Sequence, residues 1–94
     1  MKVRLLPRAY EDIDRLQTFL LGKDAQAAAR IPDLLFDAAV SLRNAPRKGR
    51  PVRASVRELI VPFGKGAYIL RYSINEKENS LLIARIWHSR ERRR

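Results

Sequence analysis

Three alternating runs of apolar residues in the C-terminal half constrain the fold of this 94-residue chain more than any other feature. They span Val56 to Phe63, Ala67 to Ile74 and Leu81 to His88. A period of two is typical of strands that bury one face. Gly64 and Gly66 supply a first turn and the polar stretch NEKENS supplies a second. The pattern therefore predicts a three-stranded β-meander.

The N-terminal half carries a short strand pattern followed by two helical patterns. Lys2 to Leu6 predicts a strand that Pro7 closes, and a helix is then predicted from Ala9 to Gly22. A second helical pattern runs from Asp24 to Asn44. Pro32 should kink or divide this second helix, because proline lacks the N–H that a helix interior needs. The short link between the two helices predicts a helical hairpin.

The expected fold is a single α+β domain, residues 1–94, in the order β-α-α-β-β-β. The helical hairpin should pack on one face of a small antiparallel sheet. The basic stretch NAPRKGRPVRAS, residues 44–55, is expected to be an irregular connection. On the first helix we expect one side to hold Tyr10, Ile13, Leu16 or Gln17, and Leu20, and the polar side to hold Glu11, Asp12, Asp14 and Arg15.

The composition excludes several classes of site. The sequence has no cysteine and one histidine, which leaves no residues for a disulfide or a closed zinc site, and we expect neither a metal nor a cofactor. No apolar run approaches the roughly 18 residues that a membrane span needs, and the first residues do not resemble a signal peptide. We therefore expect a soluble, cytoplasmic protein without membrane association.

The charge of the chain is strongly positive and unevenly distributed. The net charge is +10. Residues 1–45 hold seven basic and six acidic side chains, whereas residues 46–94 hold thirteen and four. Such a field attracts polyanions, so the expected partner is a nucleic acid or an acidic protein surface.

Arginine recurs within the predicted strands, and alternation indicates where these side chains point. In the second run Tyr68, Leu70, Tyr72 and Ile74 form the more apolar set and should lie under the helices, which leaves Arg71 on the opposite, open face. In the third run the clean apolar set is Leu82, Ala84 and Ile86, which places Arg85 and Trp87 beside Arg71. Arg57 is assigned to the same face, although Leu59 and Val61 share its parity.

This reasoning predicts a cationic open face that no acidic residue opposes. Planar guanidinium groups suit a carboxylate or a phosphate, which they can bind with two parallel hydrogen bonds. We expect the surface that binds a target or partner to consist of Arg50, Arg57, Lys65, Arg71, Arg85, Trp87, His88 and Arg90.

The order and spacing of several segments resemble the RelE/ParE superfamily of toxins from bacterial type II toxin–antitoxin systems. These segments are LLPRAYEDIDRL, LRNAPRKGRPV, RELIV, GAYILRYSI and LLIARIWHSRE, and they cover nearly the whole chain. The resemblance implies a cognate antitoxin that lays an extended or helical segment over the toxin, in a hetero-oligomer. It also implies that the free toxin inhibits growth.

The resemblance leaves two targets open. RelE-like members cut ribosome-bound mRNA, whereas ParE-like members inhibit DNA gyrase without nuclease activity. For RNA cleavage the candidate catalytic residues are Arg57, Arg71, Arg85 and His88. One nuclease subgroup resembles this chain around KGRP but carries a carboxylate just after it, where this sequence has Val52 and Arg53. The comparison therefore favours a ParE-like gyrase inhibitor, with a RelE-like mRNA endonuclease as the alternative, and whether the protein is an enzyme stays open.

Overall fold

Two helices and a five-stranded sheet form the protein, in a computed structural model that describes residues 1–91. The elements are β1 (Lys2–Leu5), α1 (Pro7–Leu21), α2 (Ala25–Ser41), β2 (Arg50–Arg53), β3 (Val56–Phe63), β4 (Gly66–Asn75) and β5 (Ser80–His88). The order of the strands in the sheet is β1-β5-β4-β3-β2. The α+β class, the helical hairpin and the meander of β3, β4 and β5 are confirmed.

Two features of the sheet differ from the expectation. The connection after α2 contains β2, which pairs antiparallel with β3. All four residues of β2 are exposed, so the sequence has no apolar alternation that would predict this strand. The sheet is also mixed, because β1 pairs parallel with β5. A strand that is joined to its neighbour through the helical hairpin and the remaining sheet can run parallel to it, whereas tight turns hold the meander antiparallel.

The hydrophobic core lies between the helical hairpin and one face of the sheet, here called the core face. Its fully buried side chains include Ile31, Leu35, Leu42, Leu70, Tyr72, Leu81, Ile83 and Ile86. Tyr68 is also buried in this cluster, which confirms that both predicted core tyrosines face the helices.

A bulge in β5 corrects the predicted faces of this strand. Arg71 lies opposite Arg85, but the next residue of β4, Tyr72, lies opposite Ile83. Ala84 is therefore the extra residue. The alternation of side chains between the two faces of the sheet shifts by one residue across it. Leu81 and Ile83 consequently face the core together with Ile86, and the prediction that Leu82 and Ala84 do so is wrong.

The helix α2 continues through Pro32, so the predicted division does not occur. Proline leaves the carbonyl of residue i−4, here Ala28, without its helical donor. The side chain of Gln17 on α1 donates from Nε2 to that carbonyl at 3.1 Å. The partner helix thus replaces the missing hydrogen bond. At its start, α2 is capped by Asp24, whose carboxylate accepts from the Ala27 N–H.

Residues 1–91 contain no helix that is both long and apolar enough to span a bilayer.

Candidate functional site: the open face of the sheet

The sheet face opposite the helices, here called the open face, carries a row of four charged residues. Arg50 on β2 is paired with Glu58 on β3, Glu58 with Arg71 on β4, and Arg71 with Arg85 on β5. Residues that are paired in this way project from the same face. The row Arg50, Glu58, Arg71 and Arg85 is called the charged row below.

Glu58 connects two cations of the charged row. It is 3% exposed, and its Oε2 accepts from Nη2 of Arg71 at 2.6 Å while its Oε1 accepts from Arg50 at 3.1 Å. The guanidinium of Arg71 also lies over the ring of Trp87, 5.1 Å from the ring centroid. Arg71 is therefore held by a carboxylate and an aromatic ring at once.

Asp12 holds Arg85 at the other end of the charged row. Its Oδ2 accepts from Nε of Arg85 at 2.9 Å and from the backbone N–H of Ile86 at 2.8 Å. Arg15, one turn along α1, donates to the Ile86 carbonyl at 3.2 Å. Because β1 pairs with β5 only as far as Ile83, these side chains of α1 take over the hydrogen bonding of the strand edge beyond it.

The environment of Asp12 favours its ionised form. Burial by itself raises the pKa of this carboxyl, but hydrogen bonds from Arg85, Ile86 and Arg15 outweigh burial, and the pKa lies below its ordinary value. The pKa of Arg85 is raised, chiefly by its hydrogen bond to Asp12.

The prediction that no acid faces the strand arginines is therefore wrong. Glu58 is a direct neighbour in the row, whereas Asp12 comes from a helix that sequence alternation does not relate to β5. Asp12 was assigned to the polar side of α1, yet it is 3% exposed. Its position three residues after Ala9 and four before Leu16 signals a buried location. Tyr10, assigned to the opposite side of α1, is 51% exposed.

Arg57 lies on the core face, and its assignment to the open face is also wrong. It is paired with Tyr72, and its Nη1 donates to the Gly49 carbonyl at 2.7 Å and to the Arg47 carbonyl at 3.1 Å. The hydroxyl of Tyr72 donates to the Pro46 carbonyl at 2.7 Å and accepts from the Gly49 N–H at 2.9 Å. Arg57 and Tyr72 together fix the connection that leads into β2.

His88, Lys65 and Arg90 lie near one end of the sheet, away from the charged row. His88 is paired with Tyr68, and the two rings meet edge to face at 5.2 Å. The imidazole Nδ1 accepts from the Arg90 N–H at 3.1 Å. Lys65 is exposed in the turn between β3 and β4. Of the predicted binding residues, the structure thus brings together Arg50, Arg71, Arg85 and Trp87, and separates Arg57, Lys65, His88 and Arg90 from them.

Two further arginines of the open face escaped prediction. A second row runs beside the charged row and consists of Arg53, Val56, Ser73, Leu82 and Arg4, in the order β2 to β1. Arg4 joins the face only because β1 adds to β5, and Arg53 only because β2 forms, so neither could be placed from local alternation.

Guanidinium groups dominate the open face, and such groups suit anionic ligands. Within residues 1–91 no group of three or more histidine, cysteine, aspartate or glutamate side chains is arranged to hold a metal ion. The carboxylate of Glu58 in the charged row is buried against Arg50 and Arg71. The roles of the individual residues stay predictions.

Solved structures share this fold. The ParDE toxin–antitoxin system of P. aeruginosa matches with a TM-score of 0.75 at 17% identity, covering 92% of each chain. The RelBE2 toxin–antitoxin complex of Mycobacterium tuberculosis matches with a TM-score of 0.61 at 22% identity, covering 96% of this chain and 92% of the other. The fold is therefore that of the RelE/ParE toxins.

Sequence comparison gives the family. Residues 3–93 match the family described as ParE toxin of type II toxin–antitoxin system, parDE. Toxin RelE1 of Caulobacter vibrioides is 43% identical over 92% of this chain and 90% of its own length. Toxin RelE3 of the same organism is 40% identical over 97% of each chain. The chain belongs to the ParE toxin family, within the RelE/ParE superfamily of type II toxins, and the resemblance predicted from its motifs is confirmed.

Proposed function

We propose that this toxin arrests growth by binding and inhibiting DNA gyrase, without cutting nucleic acid, and that a cognate antitoxin neutralises it. The observation that carries the proposal is the separation of the residues that RNA cleavage would require. Cleavage through the 2′-hydroxyl needs a base, an acid and cations around one phosphate. Gyrase inhibition by binding needs only a complementary surface.

The single histidine, His88, stands apart from the three candidate catalytic arginines, Arg57, Arg71 and Arg85. His88 lies opposite Tyr68, and Arg57 lies opposite Tyr72 on the other side of β4. Tyr68 and Tyr72 are four residues apart on β4, which corresponds to roughly 13 Å along the strand. The side chains of His88 and Arg57 are separated by this distance and also by the width of β4. Arg71 and Arg85 project from the opposite face, so a phosphate bound there does not meet the imidazole. Glu58 is too buried to accept a proton from a substrate hydroxyl.

The second candidate function is ribosome-dependent mRNA cleavage. The relatives with the names Toxin RelE1 and Toxin RelE3 favour it, and the adjacent guanidiniums of Arg71 and Arg85 suit a phosphate. Proton transfer would then have to come from groups of the ribosome or the substrate.

A groove beside α2 supports the antitoxin as partner. It has a volume of about 650 Å³ and lies between α2 and the outer edge of β3. Its apolar lining consists of Leu34, Ala38, Leu59, Ile60, Val61 and Pro62. Within the described residues β2 pairs with β3 only as far as Glu58, so the edge beyond it has no strand neighbour. An open edge beside an apolar groove suits an added strand or an amphipathic helix.

The test is expression of the toxin without its antitoxin, with two readouts in the same cells. We expect loss of negative supercoiling in plasmid DNA and accumulation of DNA breaks, while mRNA 5′ ends keep their normal distribution. Codon-positioned cuts in mRNA with unchanged supercoiling would sink the gyrase proposal and favour the alternative. A gene for a small acidic or ribbon-helix-helix protein beside the toxin gene is expected, and an isolated toxin gene would count against the antitoxin.

A further inference from the structure

The second row of the open face separates two cations by an uncharged floor. Arg4 and Arg53 stand at its ends, on the edge strands β1 and β2, and Val56, Ser73 and Leu82 lie between them. Four steps between neighbouring strands correspond to about 19 Å. Both arginines are exposed. Within residues 1–91 neither forms an ion pair, in contrast to the arginines of the charged row.

We propose that this row binds the phosphate backbone of duplex DNA, independently of sequence. The inference deepens the proposed function and rests on it for its biological setting, since gyrase holds duplex DNA. Two exposed guanidiniums without carboxylate partners can donate their hydrogen bonds to an external anion. In the charged row, by contrast, Arg71 already donates to Glu58 and Arg85 already donates to Asp12.

The geometry favours a duplex over a single strand. A duplex is stiff on this scale, with a persistence length of about 50 nm, so it can meet two cations about 19 Å apart without being ordered first. Single strands bind through aromatic side chains on which their bases stack. The tryptophan of this face, Trp87, is 7% exposed and lies under the guanidinium of Arg71, so it offers no open stacking surface.

The surrounding charge supports the same ligand. Arg50, in the adjacent charged row, has a 66% exposed side chain beside the β2 end of the second row. Lys2 lies two residues before Arg4 on the same face of β1 and is exposed. Cations therefore flank both ends of the row, as contacts with two phosphate backbones require.

The experiment measures binding of the purified toxin to a fluorescent 20-base-pair duplex, without gyrase, over a series of salt concentrations. The test variant is Arg4→Gln with Arg53→Gln. The control variant is Arg8→Gln with Arg43→Gln, which removes the same charge from exposed positions outside the sheet. A third variant, Arg4→Lys with Arg53→Lys, keeps the charge, and unfolding midpoints verify that all variants are folded.

We expect the test variant to bind about tenfold more weakly and to lower the slope of log K against log salt by about 1.8, as expected for two lost phosphate contacts. The control should stay within about twofold of the wild type, and the lysine variant should recover most of the binding. Equal weakening in the test and control variants, tighter binding of single-stranded RNA of equal length, or no binding at low salt would overturn the inference. None of these results depends on gyrase, whose inhibition is measured separately.

Discussion

At the scale of single residues, alternation located Arg71 and Arg85 correctly but gave no information on their partners. The side chain of Arg85 meets Asp12, 73 residues away in the chain, and only the packing of α1 against the edge of β5 creates this contact. Arg57 and Glu58 are consecutive residues of β3, so their side chains lie on opposite faces of the sheet. Arg57 was assigned to the wrong face because the sequence alone does not reveal which of the two shares the core face with Tyr72. Substitutions at Arg71 or Arg85 therefore test folding as well as binding.

Asp12→Asn should destabilise the protein by about 1–3 kcal/mol at pH 7, because a charged acceptor for Arg85 and for the Ile86 N–H becomes neutral. The measurement is urea unfolding. Asp14→Asn is the matched control, since Asp14 is exposed on the same helix, and it should change the free energy of unfolding by about 0.5 kcal/mol or less. Equal effects of the two substitutions would contradict the assigned role of Asp12.

The destabilisation caused by Asp12→Asn should depend on pH. The folded-state pKa of Asp12 lies below its unfolded value, so its ionised form contributes stability at pH values above the unfolded value of about 3.9. That contribution is lost as the pH falls from about 4 through the folded pKa. The difference in unfolding free energy between wild type and Asp12→Asn should therefore shrink below pH 4. A difference that grows on acidification would contradict this sign.

At the scale of elements, the strongly periodic segments and the short strand β1 were predictable, whereas the exposed edge strand β2 was not. The bounds of β3 agree with the prediction, and those of β4 and β5 differ by one residue at the ends. β2 is exposed along its length and forms only because β3 offers an edge. The parallel pairing of β1 depends on where the helical hairpin returns the chain. Arg4 was therefore missed because the position of β1 beside β5 was not predictable, and Arg53 was missed because β2 was not predicted.

Gln17 and Pro32 provide a test of how α2 tolerates its proline. Gln17→Ala should cost about 1 kcal/mol, because the Ala28 carbonyl loses its donor. In a Pro32→Ala background the helix supplies its own N–H to that carbonyl, so the cost of Gln17→Ala should fall. The double-mutant cycle is measured by chemical denaturation. Equal costs in both backgrounds would show that Gln17 does not compensate for the proline.

The connection before β2 depends on a glycine. A Cβ at Gly49 would lie 2.6 Å from the hydroxyl oxygen of Tyr72 and 2.8 Å from the Glu58 carbonyl oxygen. Gly49→Ala should therefore destabilise the protein by about 1–3 kcal/mol. Gly22→Ala is the matched control, because its nearest contact would be at 3.8 Å and its φ of −73° suits any residue. Thermal unfolding distinguishes the two, and similar midpoints would contradict the close packing at Gly49.

At the scale of the whole molecule, the charge asymmetry between the two halves predicted a polyanion-binding surface but not its layout. The C-terminal half supplies most of the cations, yet Asp12 from the N-terminal half holds Arg85, and Arg4 from β1 extends the open face. The groove beside α2 extends along the edge of β3, and it shares Arg50 and Glu58 with the charged row of the open face. We therefore propose that neutralisation and target binding use surfaces that meet at Arg50 and Glu58.

The most direct test of the proposed function uses purified components. DNA gyrase and relaxed plasmid are incubated with increasing toxin, with and without antitoxin, and a parallel reaction contains translating ribosomes with end-labelled mRNA. We predict that the toxin blocks supercoiling in proportion to its concentration, that the antitoxin reverses the block, and that the mRNA stays intact. Codon-positioned mRNA cleavage at toxin concentrations that leave supercoiling unchanged would contradict the proposal.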